Sequence, residues 1–94
     1  NRVLALAEDP DGTLWVGTDR GGVVQWDHGR FRSTPNWPAS WLGAIARLPD
    51  GRLVATSERD VLEVLPGQGY RPAFQQPVAG VRRILVLGER ILLA

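Results

Sequence analysis

The residues best suited to chemistry fall into a few small groups. Glu8, Asp9, Asp11 and Asp19 gather near the start of the chain, and Asp9-Pro10-Asp11-Gly12 is similar to the opening of a calcium loop. Such a loop needs several oxygens converging on one cation. The third acid and the distal bidentate Glu are missing here, and the equivalent stretch at 48–51 has Leu48 in place of Asp9. Turn formation by Asp and Gly explains the segment, and no metal site is expected. His28 is the single histidine. A catalytic base needs a nucleophile and an orienting partner, and Ser33, Ser40 and Ser57 lack the Gly-x-Ser-x-Gly elbow. His28 itself lies in Asp27-His28-Gly29-Arg30, which reads as a hairpin tip. There is no cysteine, which removes disulfides, thiolate metal sites and a cysteine nucleophile. No catalytic residue and no cofactor are expected.

Binding has better candidates. Trp37 and Trp41 flank Pro38-Ala39-Ser40 in a turn-rich connector. Aromatic rings there can stack on a sugar or clamp a partner segment. The competing reading is a plug that buries area and seals the loop. Arg47, Arg82 and Arg83 are suited to gripping a carboxylate or phosphate, against a competing role as a solvated rim or an interface salt bridge. Gly21-Gly22 is a backbone turn needing positive φ, not a phosphate loop, because no Gly-Lys and no helix follow. The candidate ligand residues are therefore Trp37, Trp41, Arg47 and Arg82.

These side chains need a scaffold, and its nature is set by a repeat. Asp11-Gly12 aligns with Asp50-Gly51, thirty-nine residues on. At that offset Val3 falls on Leu42, Leu6 on Ile45, Leu14 on Leu53, Trp15 on Val54 and Thr18 on Ser57. One residue is missing near Asp60, so Val23-Val24-Gln25-Trp26 matches Val61-Leu62-Glu63-Val64, and the register returns at Phe31 and Tyr70. A third copy starts at Val81. Apolar runs of β-forming residues between turn signals read as strands. They are expected at about 3–8, 13–18, 22–27, 30–34, 42–48, 52–57, 60–65, 69–75, 81–87 and 89–94. Pro10-Asp11-Gly12 and Pro49-Asp50-Gly51 are tight hairpin turns with a bulge. Leu14-Trp15-Val16, Val23-Val24 and Val61-Leu62 put apolar groups on both faces, as in a sheet covered on both sides. Small residues (Ala5, Ala7, Gly17, Ala44, Ala46, Ala55) would let adjacent sheets approach. The fold expected is all-β, a β-propeller fragment of two four-stranded antiparallel blades (1–41 and 42–80) plus the inner hairpin of a third (81–94). A β-solenoid is the competing geometry, but its coils are usually shorter and lack three successive hairpins.

The 94 residues are 44% hydrophobic and 22% charged, with a net charge of +1. That composition excludes disorder and argues against a nucleic-acid footprint. Apolar runs fall far short of the roughly 20 residues of a membrane span. No secretory leader pattern is visible in NRVLALAEDPDG.

EDPDGTLWVGTDRGGVVQWD resembles the two-component regulator propeller repeat, a pattern of the form eD-x-dG-x-lWvGT-x-gGG-v. Asp11, Gly12, Trp15, Gly17, Thr18, Gly21 and Gly22 carry the match, and Asp50 and Gly51 repeat its turn. The second copy departs from the pattern, with Val54 for Trp, Ala55-Thr56-Ser57 for Val-Gly-Thr and no glycine pair. The resemblance implies large seven-bladed rings in the periplasmic half of bacterial membrane receptors, followed by a membrane helix and a histidine kinase or diguanylate cyclase. It implies a non-catalytic ligand sensor, in which inner-strand arginines and inter-blade loops line the channel mouth. Its implied partners are the remaining blades of its own ring, a small-molecule or carbohydrate ligand and a homodimer mate. Two rival functions are a protein-interaction scaffold and a fragment of a propeller lyase or lactonase. The last would need its channel-facing His, Glu or metal ligands in other blades. An open fragment would expose blade faces and strand edges, and so is expected to self-associate or fold poorly.

Overall fold

The computed structural model describes residues 2–18 and 22–94. Its described residues contain ten strands and no helix: β1 (Val3–Glu8), β2 (Leu14–Thr18), β3 (Gly22–Asp27), β4 (Arg30–Thr34), β5 (Ile45–Arg47), β6 (Leu53–Thr56), β7 (Val61–Leu65), β8 (Gly69–Pro72), β9 (Ile84–Leu87) and β10 (Arg90–Leu93). They form an antiparallel sheet in the order β1-β2-β3-β4, a second in the order β5-β6-β7-β8, and the β9–β10 hairpin. This is an all-β propeller fragment with the ring unclosed. The two Pro-Asp-Gly turns are the same structure. Gly12 and Gly51 have φ of 92° and 94°. The Asp9 amide donates to the Thr13 carbonyl as Leu48 does to Arg52, and Asp11 and Asp50 each accept from the amide two residues on. At the β3–β4 turn His28 and Gly29 both have positive φ, as a two-residue type I′ hairpin requires. Asp19, Arg20 and Gly21 lie outside the described residues.

Three strands are shorter than the hydrophobic pattern suggests. β5 starts at Ile45 because the Ala44 amide is taken by the Thr56 hydroxyl, not by a ladder carbonyl. β8 ends at Pro72 because the Val61 amide is taken by the Asp60 carboxylate and the Ala73 carbonyl by the Arg52 guanidinium, although the Ala73 amide still reaches the Val61 carbonyl. β9 starts at Ile84 because the Arg82 and Arg83 amides both converge on the Ala94 carbonyl.

The core divides into two layers, one on each side of the β5–β8 sheet. Alternation along β6, buried throughout, sends Leu53 and Ala55 one way and Val54 the other. Leu53, Ala55, Ile45 and Val64 join Trp15, Val23 and Leu42 in the seam with the β1–β4 sheet. Val54, Leu48, Val61 and Ala73 pack with Val81 and the partly buried Ile84, Ile91 and Leu93 of the hairpin region. The middle sheet is thus covered front and back. The β1–β4 sheet and the hairpin are each covered on one side only. Val3, Leu6, Trp26 and Phe31 are exposed at one end of the stack, and Leu85, Leu87 and Leu92 at the other. Gly17 lets the two sheets close up: a Cβ there would stand 2.5 Å from Leu42 Cδ2 and 3.1 Å from Ile45 Cδ1.

Candidate functional site

The candidate binding residues separate to the two ends of β5. At its start lies the connector that follows β4. The Glu58 carboxylate holds this connector by accepting from the Ser40 amide at 2.9 Å and the Trp41 amide at 3.3 Å. These backbone donors favour the charged form, and with the Ser40 bond leading they hold the Glu58 carboxyl down to about 2. Trp37 donates its indole N–H to the Trp41 carbonyl at 3.1 Å, so the two tryptophans brace one turn. Their exposed surfaces differ. Trp37 packs against the seam cluster and meets the Tyr70 ring edge-on, with centroids 5.0 Å apart. Trp41 instead carries the Arg82 guanidinium over its ring, 4.8 Å from the centroid, an attraction between a cation and the negative ring face. Trp41 and Arg82 are brought together, and Trp37 serves the seam. Arg83, next in sequence, is exposed.

Arg47 lies at the other end of β5. Its guanidinium is bidentate on Asp9 of the facing sheet, with Nε at 3.1 Å from Oδ1 and Nη2 at 2.6 Å from Oδ2. Its Nη1 donates to the Gly51 carbonyl, and its plane sits 5.7 Å from the Trp15 ring centroid. The Trp15 indole N–H donates to the same Asp9 carboxylate at 2.8 Å. The Arg47 hydrogen bond is the main reason the Asp9 carboxyl titrates below its ordinary value. Asp9, one of the acids clustered near the start of the chain, is therefore half of an inter-sheet clasp, and Arg47 is the other half.

A second inter-sheet bond comes from Tyr70. Its hydroxyl accepts from the Val23 amide at 2.9 Å and donates to the Thr34 carbonyl. Val23 and Thr34 face each other across β3 and β4, and both are buried. Gly22 makes room for it: a Cβ there would lie 2.5 Å from the Tyr70 oxygen, at a φ of 70°. Burial pushes the Tyr70 phenol above its ordinary value. Glu58 and Tyr70 carry no motif signal. The only trace of Tyr70 in sequence is its alignment with Phe31 in the repeat.

His28 sits on the β3–β4 turn against the Asp27 carboxylate, with its side chain largely exposed. Nearby, Gln25, Asp27, Arg30, Phe31 and Arg32 line an open depression of about 320 Å³. None of the candidate binding residues lines it.

Residues 1–20 match the family model described as two component regulator propeller. The matched stretch covers β1, the Pro10-Asp11-Gly12 turn and β2, including Asp9 and Trp15 of the clasp. No curated protein and no solved structure matches the chain.

Proposed function

We propose that this chain is a section of a periplasmic, ligand-sensing β-propeller in a bacterial receptor whose output is a histidine kinase or a diguanylate cyclase. The section binds and transmits and performs no chemistry. The observation that carries this reading is the two component regulator propeller match over residues 1–20, joined to a middle sheet that packs on both faces as a blade does between neighbours. The ring around it comprises further units of the same repeat, with residues 1–41, 42–80 and 81–94 contributing two units and part of a third.

Within that ring the ligand-facing candidate is the connector end of β5. Trp41 offers a ring face and Arg82 a planar set of donors, a combination suited to a sugar or other ring that bears a carboxylate or phosphate. Sensing then consists of a ligand tightening the connector and shifting the packing of neighbouring units, which the receptor reads through its membrane helix.

The test uses the parent receptor in its native membrane. Protease added to spheroplasts should cleave the propeller and spare the output domain. A propeller protected until the cells are lysed would overturn the periplasmic assignment. A screen of acidic saccharides against the parent protein tests the site, with Trp41→Ala and Arg82→Ala each expected to weaken binding at least tenfold. Unchanged binding in both variants removes the connector as the ligand site.

A further inference from the structure

The exposed face of the β1–β4 sheet can be read against the equivalent face of the β5–β8 sheet, which the structure shows covered. Leu6 pairs with Val16 across β1 and β2 as Ile45 pairs with Ala55 across β5 and β6. Trp26 pairs with Phe31 as Val64 pairs with Tyr70. Yet Leu6 is 60% exposed where Ile45 is 7%, and Trp26 is 41% exposed where Val64 is 3%. Val3 and Phe31 are exposed likewise, against the buried Leu42 and the seam-bridging Tyr70. Each exposed apolar residue at this end therefore occupies a position that, one unit later, packs on the preceding sheet.

The same register locates a charge. Glu8 pairs with Leu14 as Arg47 pairs with Leu53, so Glu8 holds the place of the residue that reaches back to Asp9. Glu8 is exposed and has no ion-pair partner among the described residues. The clasp position is thus present on this face with its sign reversed. An acid at the Asp9 position of a preceding unit would repel Glu8, whereas a cation would pair with it.

We propose that the free β1–β4 face is a docking surface for a preceding four-stranded unit of the same repeat, and that this unit carries an arginine or lysine at the position of Asp9, paired with Glu8. The inference rests on the reading of the chain as a section of a ring. Two observations select the occupant: the face continues an interface already formed between the two sheets of this chain, and its one unpartnered charge at the clasp position calls for a cation.

The experiment extends the whole chain at its N-terminus with a second copy of residues 3–41, either unchanged or with its own Asp9→Arg. Hydrogen exchange of β1–β4 and iodide quenching of Trp26, read as the difference from the matched protein with Trp26→Phe in the original unit, report whether the added unit covers the face. The expected result is shielding of Trp26 in both proteins, with roughly fivefold less opening in the arginine version, an advantage that shrinks in high salt. Glu8→Arg in the original unit should reverse the preference. Equal protection in both versions, with Trp26 shielded, overturns the cation assignment and leaves the ring reading standing. Trp26 unshielded in both overturns the ring reading as well. An extended protein that is dimeric, with Trp26 shielded only at concentrations where the dimer forms, assigns the face to a second copy and overturns the proposal.

Discussion

Tyr70→Phe tests the seam between the two sheets most directly, because it removes one oxygen and leaves the ring in place. That oxygen serves two backbone groups at once, the Val23 amide and the Thr34 carbonyl. Both residues are almost completely shielded from water, Val23 at 0% and Thr34 at 1% exposure. Depriving buried polar groups of a partner costs about 1–3 kcal/mol, and at about 2 kcal/mol the opening equilibrium of the seam rises about thirtyfold. The ring's edge-on contact with Trp37 persists, so little of the loss comes from packing. Hydrogen exchange is the assay, since it reads the Val23 amide directly whether or not the chain associates. Protection at Val23 should fall about thirtyfold, with a smaller fall along β3, while the β9–β10 hairpin stays unchanged. Phe31→Tyr is the control, because Phe31 holds the same repeat position on the free face and its change should fall within about 0.5 kcal/mol. Titration adds a sign. Burial raises the Tyr70 phenol above its ordinary value of 10.0, so the folded state holds that proton more tightly than the unfolded chain. The stabilisation is complete below pH 10 and is lost as pH climbs through the raised value, and Tyr70→Phe should abolish this alkaline loss. Val23 protection unchanged within a factor of two would refute the hydroxyl bridge.

Two further outcomes follow from the packing and charge of the same region. Glu58 is held down to about 2 chiefly by the Ser40 amide. Its hold on the connector should therefore be intact above the ordinary carboxylate value of 4.5 and fade as pH falls toward 2. Tryptophan fluorescence should report that transition in the parent chain and show none in Glu58→Gln, and a transition that persists in the variant would discount the carboxylate. Gly17→Ala drives a Cβ to within 2.5 Å of Leu42 and should destabilise the chain by about 1–3 kcal/mol, measured as a lower urea midpoint. Leu42→Val should recover part of that loss in the double variant, and a fully additive double variant would break the assigned contact.

Local rules made the strands and turns legible before any coordinates. The two Pro-Asp-Gly turns announce their geometry because Asp and Gly act on their own backbone within a few residues. The double-sided coverage of the middle sheet was readable because Leu53-Val54-Ala55 and Val61-Leu62 leave no polar face to hydrate. The contacts that join the sheets were not readable in the same way. Tyr70 reaches Thr34 across thirty-six positions, and Glu58 reaches the connector across eighteen. Nothing local marks either residue, because their partners are backbone groups with no sequence identity. Arg47 shows the boundary between the two cases. Its type pointed to a carboxylate, and its place on a strand next to a seam allowed an interface salt bridge. Which carboxylate it meets depends on the offset between sheets. Strand ends differ from the hydrophobic pattern where a side chain takes a ladder amide, the Thr56 hydroxyl at β5 and the Asp60 carboxylate at the end of β8.

The clasp position also bears on how similar units keep their order. Each seam joins the Asp9 position of one unit to the Arg47 position of the next. Between the first two sheets the pair is Asp9 and Arg47. At the next seam the repeat puts Leu48 and Val86 in those places, Leu48 buried and Val86 37% exposed. At the free face the second member is Glu8. Three successive seams thus call for an acid–base pair, an apolar pair and a pair with Glu8 as its anion. Exchanging units would set Arg47 or Glu8 against an apolar partner, leaving a charge desolvated without compensation, or would set two acids together. A backbone that repeats would accept units in any order, whereas these side chains penalise the wrong neighbours. Specificity of this kind predicts asymmetric coupling. Asp9→Leu, which copies the second seam into the first, should weaken the first seam with Arg47 present and should be tolerated once Arg47→Val is added. A Leu/Val pair no better than the Leu/Arg mismatch would show that order is set elsewhere.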